Sequence, residues 1–442
     1  MSELACRVQW RTDQVGMWNN RSTLYYPIND FTGYGRLLLR SIAMEGKFMT
    51  DITNDLIETL GCSTEKVEGL PGKFYGASFF EEERNRLFPR LWCAVGVASE
   101  IAQSGDAVPV DLAGWPVVLV RDHSGEVRAF HNICRHRGMS LLQEKVHGLE
   151  AFSCPWHAWR YGLDGQLINT PRVGGETTHT QDGLDSSVLG LVPIRVAQWQ
   201  DMIFVNLDGK APALSEHIKP LDTLFSNYDL GALRWAYQWR LSYPGNWKVS
   251  IEGAIEDYHL PVGHPQIVRG ARRWNSKLYS SPLCFYANSV AREFENKQSE
   301  GLMSNIATGL TSPLSKVPLH TPVSGPRRTY FMSVFPTGML QVHGDNAVQG
   351  LILPNGSGET TFVFNHYFVG DDAHDPGLSS YREQIIAEWK LVFEQDIPFV
   401  DSVHRNYQVR DQLGISTRFS AYWEENIHRF QRDIAEFMRV KQ

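Results

Sequence analysis

Cys134-Arg-His136 is followed, after residues 137–153, by Cys154-Pro-Trp-His157, and this pair of mixed segments constrains the chain more than any other feature. Each segment offers one thiolate and one imidazole. That suits two loops that grip a binuclear iron–sulfur cluster from opposite sides, each giving one ligand to each iron. A structural zinc site can also use two Cys and two His, but there a Cys pair usually precedes a His pair. Replacing two thiolates by neutral imidazoles raises the reduction potential above that of an all-cysteine cluster. The segments therefore read as an electron-handling site. Gly138 permits a tight turn after His136, and Pro155, Trp156 and Trp159 are placed to shield sulfur from water.

This ligand order is that of a Rieske centre, and the surrounding sequence resembles the large (alpha) subunits of Rieske non-heme iron oxygenases, the aromatic-ring-hydroxylating family. The resemblance is carried by RDHSGEVRAFHNICRHRG, Arg121 to Gly138, and by CPWHAWRYGLDGQL from Cys154. It runs from about Gly69 to the last forty or so residues. It implies an α+β chain: a small all-β Rieske [2Fe–2S] domain, then a helix-grip catalytic domain in which an antiparallel sheet packs against a long C-terminal helix. The expected division is an N-terminal extension at 1–68, poorly ordered, a Rieske domain with its preceding helix at 69–236, and a catalytic domain at 237–442. Residues 1–48, which precede Met49-Thr-Asp-Ile, read as an upstream extension. The resemblance also implies a mononuclear Fe(II) held by two histidines and one carboxylate.

The histidines are sought in NWKVSIEGAIEDYHLPVGH, Asn246 to His264. Trp247, Ile251, Ala254, Ile255 and Tyr258 recur at helical spacing, which predicts an amphipathic helix ending near His259. Pro261 and Gly263 break it, so His259 at the helix end and His264 in the following loop can converge as iron ligands. For the third ligand the C-terminal region offers Glu388, Glu394, Asp396 and Asp401. Ile385, Ile386, Trp389, Val392, Phe393, Phe399, Val400 and Val403 form an apolar stripe, and Asp396 falls inside it; Glu394 and Asp401 lie on the opposite face. A carboxylate directed into an apolar interior is costly unless paired or metal-bound. The resemblance selects the same residue, since the family's Glu-Asp and Ser-Val-Gln align with Gln395-Asp396 and Ser402-Val403-His404. Pro398 bends this helix or opens a new one.

Two histidines and one carboxylate leave one face of an octahedral iron open, the arrangement used to activate dioxygen. The resemblance assigns Glu256 to the electron path, as a carboxylate bridging His259 and His157 of the partner subunit. Its neighbour Asp257 is the weaker candidate, because an offset of three on a helix sets Glu256 beside His259. An intersubunit path implies a homotrimer, or an α3β3 assembly where a β subunit exists.

The net charge of -7, without a basic block, gives no footing for nucleic acid. No apolar run approaches a membrane span, the N-terminus lacks a signal-peptide core, and Cys6, Cys62, Cys93 and Cys284 are scattered, so a cytoplasmic enzyme is expected. A dinucleotide fingerprint and ferredoxin cysteine spacing are both lacking, so NAD(P)H oxidation is assigned to a separate reductase, with or without a ferredoxin.

The function these features imply is that of a terminal oxygenase that uses O2 to hydroxylate a small aromatic compound. Alternatives are a monooxygenase or N-demethylase of a quaternary amine of the choline, betaine or carnitine type, and a Rieske electron carrier without oxygenase activity. Tyr330, Phe331, Phe335, Phe362, Phe364, Tyr367 and Phe368 are candidate substrate-lining rings, by cation–π or apolar contact. Ala158, Gly253 and His404 depart from the family pattern, standing where Gly, Asn and Gln are usual. Among local elements, Ser78 and Glu81 predict a capping box. Strands are expected at 116–121, 127–132, 329–334, 339–342, 348–353 and 360–369, and the polar stretch 287–328 reads as a lid or loop.

Overall fold

The computed structural model describes residues 68–268, 271–294, 319 and 329–439. The expected extension at 1–68 and most of the expected lid lie outside them, apart from Glu68, which bridges to Arg418.

Alternating short strands and glycine turns build the first half. In chain order these are β1 (Cys93–Val97), β2 (Ala107–Leu112), β3 (Trp115–Arg121), β4 (Val127–His131), β5 (Phe152–Ser153), β6 (Arg160–Tyr161), β7 (Leu167–Asn169), β8 (Pro193–Trp199) and β9 (Met202–Asn206). Six of them form an antiparallel sheet in the order β1-β9-β8-β4-β3-β2, and β5-β6-β7 form a small second sheet. The expected turns fall at Gly125 and Gly165, both with φ near +87°, a conformation that costs glycine nothing. Phe130, Phe152, Tyr161 and Trp159 pack with Cys134 and Cys154 in a core of their own.

Helix α1 spans Ala77–Arg86, but not through a capping box: its N-cap is Gly76, and no side chain caps it. The preceding turn, Gly72–Tyr75, delivers an extended Gly76, so the helix begins before Ser78 can act as cap. Glu81 pairs with Arg84 instead.

The second half is one antiparallel sheet, β10 (Leu233–Tyr243), β11 (Ala271–Ser281), β12 (Phe285–Phe294), β13 (Thr329–Val334), β14 (Gly338–Val342), β15 (Asn346–Pro354) and β16 (Thr360–Val369), in the order β10-β16-β15-β14-β13-β12-β11. The four strands expected here are present. Residues 287–294, read as loop, continue β12, because pairing with β11 and β13 supplies the order that their polar composition conceals.

Both sheet faces are buried. On one face Trp239, Tyr243, Met339, Val348, Phe362 and Phe364 meet Ile385, Trp389, Val392 and Phe393 of the long helix. On the other, Met332, Leu340, Val342, Leu351 and Val363 meet Phe204 of the first sheet and Trp92, which precedes β1. Hydrogen bonds also join the halves, among them Thr337 Oγ1 to the Ala94 carbonyl and Tyr367 OH to Asp201.

Helix α2 (Trp247–Ala254) is shorter than expected. Long helix α3 (Ser379–Gln412) runs unbroken through Pro398, which forgoes only the one amide bond that would reach Glu394. Helix α4 (Glu425–Met438) packs Phe430, Ile434 and Met438 inward.

Candidate active site

The two candidate cluster loops share one pattern of backbone hydrogen bonds. The Cys134 amide donates to the Met139 carbonyl and the Gly138 amide to the Cys134 carbonyl, at 2.8 and 2.9 Å. The Cys154 amide donates to Trp159 and the Ala158 amide to Cys154, at the same two distances. Each loop turns through a left-handed residue, Gly138 at φ +80° and Ala158 at +57°. The departure at Ala158 therefore falls where a side chain is conformationally costly.

The loops bring the histidines together, with ring centroids of His136 and His157 4.6 Å apart. Both histidines are exposed, and both cysteines are buried. Trp159 is buried and stacks on His136. Trp156, expected to shield sulfur, is half exposed and lies under the Arg137 guanidinium. Burial, and then the nearby Cys154 thiol, raise the Cys134 thiol above its ordinary value against the hydrogen bond from Tyr161. Iron would reverse this, since a bound cation deprotonates a coordinating thiol. The donor set thus fits a cluster that supplies its own positive charge.

In the second half, α2 ends at Ala254 and Glu256 starts a new turn. One Glu256 oxygen accepts the amides of Tyr258 and His259, while the other meets His259 Nδ1. Glu256 is thus set beside His259 by capping rather than by helical offset. Asp257 is buried and accepts from Ser276 and Asn288, which accounts for it structurally.

His264 ends the short helix Leu260–Gly263. Its Nε2 lies 2.9 Å from Asp396 Oδ1, and His259 Nε2 lies 3.9 Å from the same atom. Ligand atoms of His259, His264 and Asp396 fall within 4.8 Å of one another and could hold a metal ion. Asp396 is a quarter exposed, so it faces a cavity rather than an apolar interior. Burial opposes charge on His259, but Glu256, then Asp396 and Asp257, lift its pKa above the ordinary value.

The cavity measures about 420 Å³ and is bordered by His259, Asp396, Glu252, Glu256 and Glu424, with rings of Tyr243, Phe362, Phe393, Phe399, Tyr407 and Phe419. Of the expected lining rings Phe362 is there. Phe335, Phe364 and Phe368 pack in the core, Tyr330 and Tyr367 lie on the far face of the sheet, and Phe331 lies against Trp389. Phe399 and Val403, expected in the buried stripe, are 47% and 41% exposed and border the cavity. Gly253 also borders it, and a Cβ there would meet nothing.

Sequence reasoning missed two contacts. Tyr161 lies 3.3 Å from Cys134 Sγ, and Gln395 meets His264. The signal for Gln395 was its place in an expected Glu-Asp pair.

Comparison with known proteins agrees with this architecture. Residues 91–184 match the Rieske [2Fe-2S] domain, and residues 230–440 match the ring hydroxylating alpha subunit catalytic domain. The chain is 30% identical over 359 residues to a carnitine monooxygenase oxygenase subunit of Acinetobacter pittii, covering 78% of this chain and 86% of the relative. It is 27% identical to the glycine betaine monooxygenase oxygenase subunit of Chromohalobacter salexigens, covering 74% and 76%. Naphthalene 1,2-dioxygenase from Rhodococcus sp. superposes with a TM-score of 0.70 at 19% identity, over 90% of this chain and all of that one.

The chain belongs to the Rieske non-heme iron oxygenases, as a large (alpha) subunit. It is an oxidoreductase with a Rieske [2Fe–2S] cluster and a mononuclear iron, and it takes electrons from a separate reductase. Among the described residues no helix is long and apolar enough to cross a membrane.

Proposed function

We propose that this oxygenase acts on a quaternary amine, hydroxylating a carbon bonded to the cationic nitrogen. The observation that carries this reading is the cavity at His259 and Asp396, which six aromatic rings border together with Glu256 and Glu424 and, further along, Arg410 and Arg418. Aromatic rings and acids beside one another favour a desolvated cation that has no proton to lose. The names of the relatives, which oxidise glycine betaine and carnitine, support it.

In this reading Cys134 and Cys154 hold one iron of the cluster, His136 and His157 the other, and His259, His264 and Asp396 hold the mononuclear iron. The cluster supplies electrons one at a time, and the mononuclear iron supplies dioxygen activation beside the substrate. Glu256 keeps a proton on Nδ1 of His259, which leaves Nε2 free to bind. The same carboxylate reaches His157 of the partner subunit, in a trimer that brings each cluster to a neighbour's iron. A domain division near the expected 236/237, drawn before β10 because that strand pairs with β16 from Leu233 onward, and a cytosolic setting for the buried thiols belong to the same reading.

The chemistry balances: substrate, O2, two electrons and two protons give the hydroxylated product and water. A hydroxyl on a carbon bonded to nitrogen then breaks the C–N bond, releasing an aldehyde and an amine.

The test uses anaerobically purified protein with a surrogate reductase, scoring O2 uptake and aldehyde release with glycine betaine, carnitine and choline. Their neutral analogues, with carbon in place of nitrogen, and biphenyl serve as comparisons. Turnover of the cations alone is expected. Turnover of biphenyl in their place would restore the aromatic reading, and loss of one iron per chain in Asp396→Ala checks the ligand assignment.

A further inference from the structure

His264 is held from both sides by consecutive residues of α3. Nε2 faces Asp396 Oδ1 at 2.9 Å, and Nδ1 lies 2.9 Å from Oε1 of Gln395. The ring is 1% exposed, so Nδ1 has no water to turn to. With Nε2 turned to the metal position, Nδ1 carries the hydrogen, and Gln395 must present its carbonyl oxygen. The same oxygen accepts Nε2 of Gln266 at 2.7 Å, which ties down the segment leaving His264.

The two histidines therefore have unlike partners. His259 leans on the Glu256 carboxylate, and His264 on a neutral amide. We infer that Gln395 is a positioning residue that fixes the tautomer of His264 and, being uncharged, keeps the mononuclear site biased toward ferrous iron. The inference rests on the ligand assignment proposed above.

Its physical basis is a charge count. Asp396, Glu256 and the nearby Asp257 already set negative charge around the metal position, and a further carboxylate at 395 would add to it and favour the trivalent ion. A carboxylate on Nδ1 would also make the imidazole a stronger donor, in the same direction. The amide supplies the hydrogen bond without that bias. A resting site held ferrous is ready for dioxygen once substrate and electrons arrive.

The experiment uses the full chain with its cluster and compares wild type with Gln395→Glu and Gln395→Leu. Fe(II) affinity is measured by anaerobic titration. The ferric-to-ferrous ratio of the mononuclear site is read by electron paramagnetic resonance at a fixed ambient potential. Gln395→Leu leaves a buried N–H unpaired and is expected to weaken Fe(II) binding by about 10- to 100-fold. Gln395→Glu is expected to keep Fe(II) bound while raising the ferric-to-ferrous ratio about tenfold or more. The visible spectrum of the Rieske cluster should not change in Gln395→Glu, and if Gln395→Leu does not fold, this near-isosteric variant decides alone. A ratio unchanged in Gln395→Glu overturns the inference, as does wild-type affinity in a folded Gln395→Leu. If wild type carries the mononuclear iron and neither variant differs, only this inference falls. If wild type carries none, the ligand assignment falls with it.

Discussion

Lys248 Nζ lies 2.7 Å from Oε1 of Glu83, and neither side chain exposes any surface. The pair joins α1 to α2, the helix that leads into the turn bearing His259, and rings of Phe74, Phe79 and Trp247 surround the ammonium. Burial pulls Lys248 down and Glu83 up from their ordinary values, and each partner's charge opposes the other's shift. Such a pair adds little net stability, but breaking it on one side leaves a buried charge alone. Lys248→Met is expected to cost about 3–5 kcal/mol by urea denaturation, and adding Glu83→Gln should recover part of that loss. Equal losses in the single and double variants would mean that packing, not charge, holds this joint.

Ala158 and Gly138 occupy equivalent left-handed positions in the two cluster loops. An L side chain there costs about 1–2 kcal/mol, partly offset by the extra freedom glycine has when unfolded. Ala158→Gly should therefore be neutral or stabilising by up to about 1 kcal/mol. Gly138→Ala should destabilise by about 1 kcal/mol, although its Cβ would meet no atom. Thermal unfolding followed at the cluster's visible absorption compares them.

Glu252 borders the cavity but turns its carboxylate to Tyr75 and Gln431. Burial raises its pKa from 4.5 to about 7, against hydrogen bonds from Gln431 and Tyr75 and the charge of Lys248. The folded state thus favours the protonated acid. The stability this confers is complete below about pH 4.5 and is lost as pH rises to about 7. Glu252→Gln, which stays neutral, should gain about 3 kcal/mol relative to wild type between those limits, at ~1.4 kcal/mol per pKa unit. Parallel stability-against-pH curves for the two proteins would refute this.

The Arg135 amide donates to Tyr161 OH at 3.0 Å, which leaves the phenol hydrogen for Cys134 Sγ. A hydrogen bond to a cluster sulfur stabilises the reduced, more negative state. Tyr161→Phe should lower the cluster's reduction potential without loss of iron, as read by redox titration. An unchanged potential would show that the phenol serves only packing.

Much of the site was legible in the chain because metal chemistry restricts residue types. Cys134, His136, Cys154, His157, His259, His264 and Asp396 could all be picked out from pattern and resemblance, without knowing how α3 crosses the sheet. The four strands from Thr329 to Val369 were legible as short runs rich in aromatic and β-branched residues, because both faces of this sheet are buried. Strands β11 and β12 were not, because their polar composition conceals an order that comes from neighbouring strands.

Sequence by itself supplied the candidate ligands, through local spacing and side-chain chemistry, and the family resemblance supplied their grouping into two sites and the α+β class. Tertiary structure decided what surrounds them. Glu256 reaches His259 by capping a turn, and Gln395 reaches His264 across 131 positions. Phe362 faces the cavity while Tyr330 and Tyr367 do not, because residue parity in a strand chooses a face but only the packed helix says which face holds the iron.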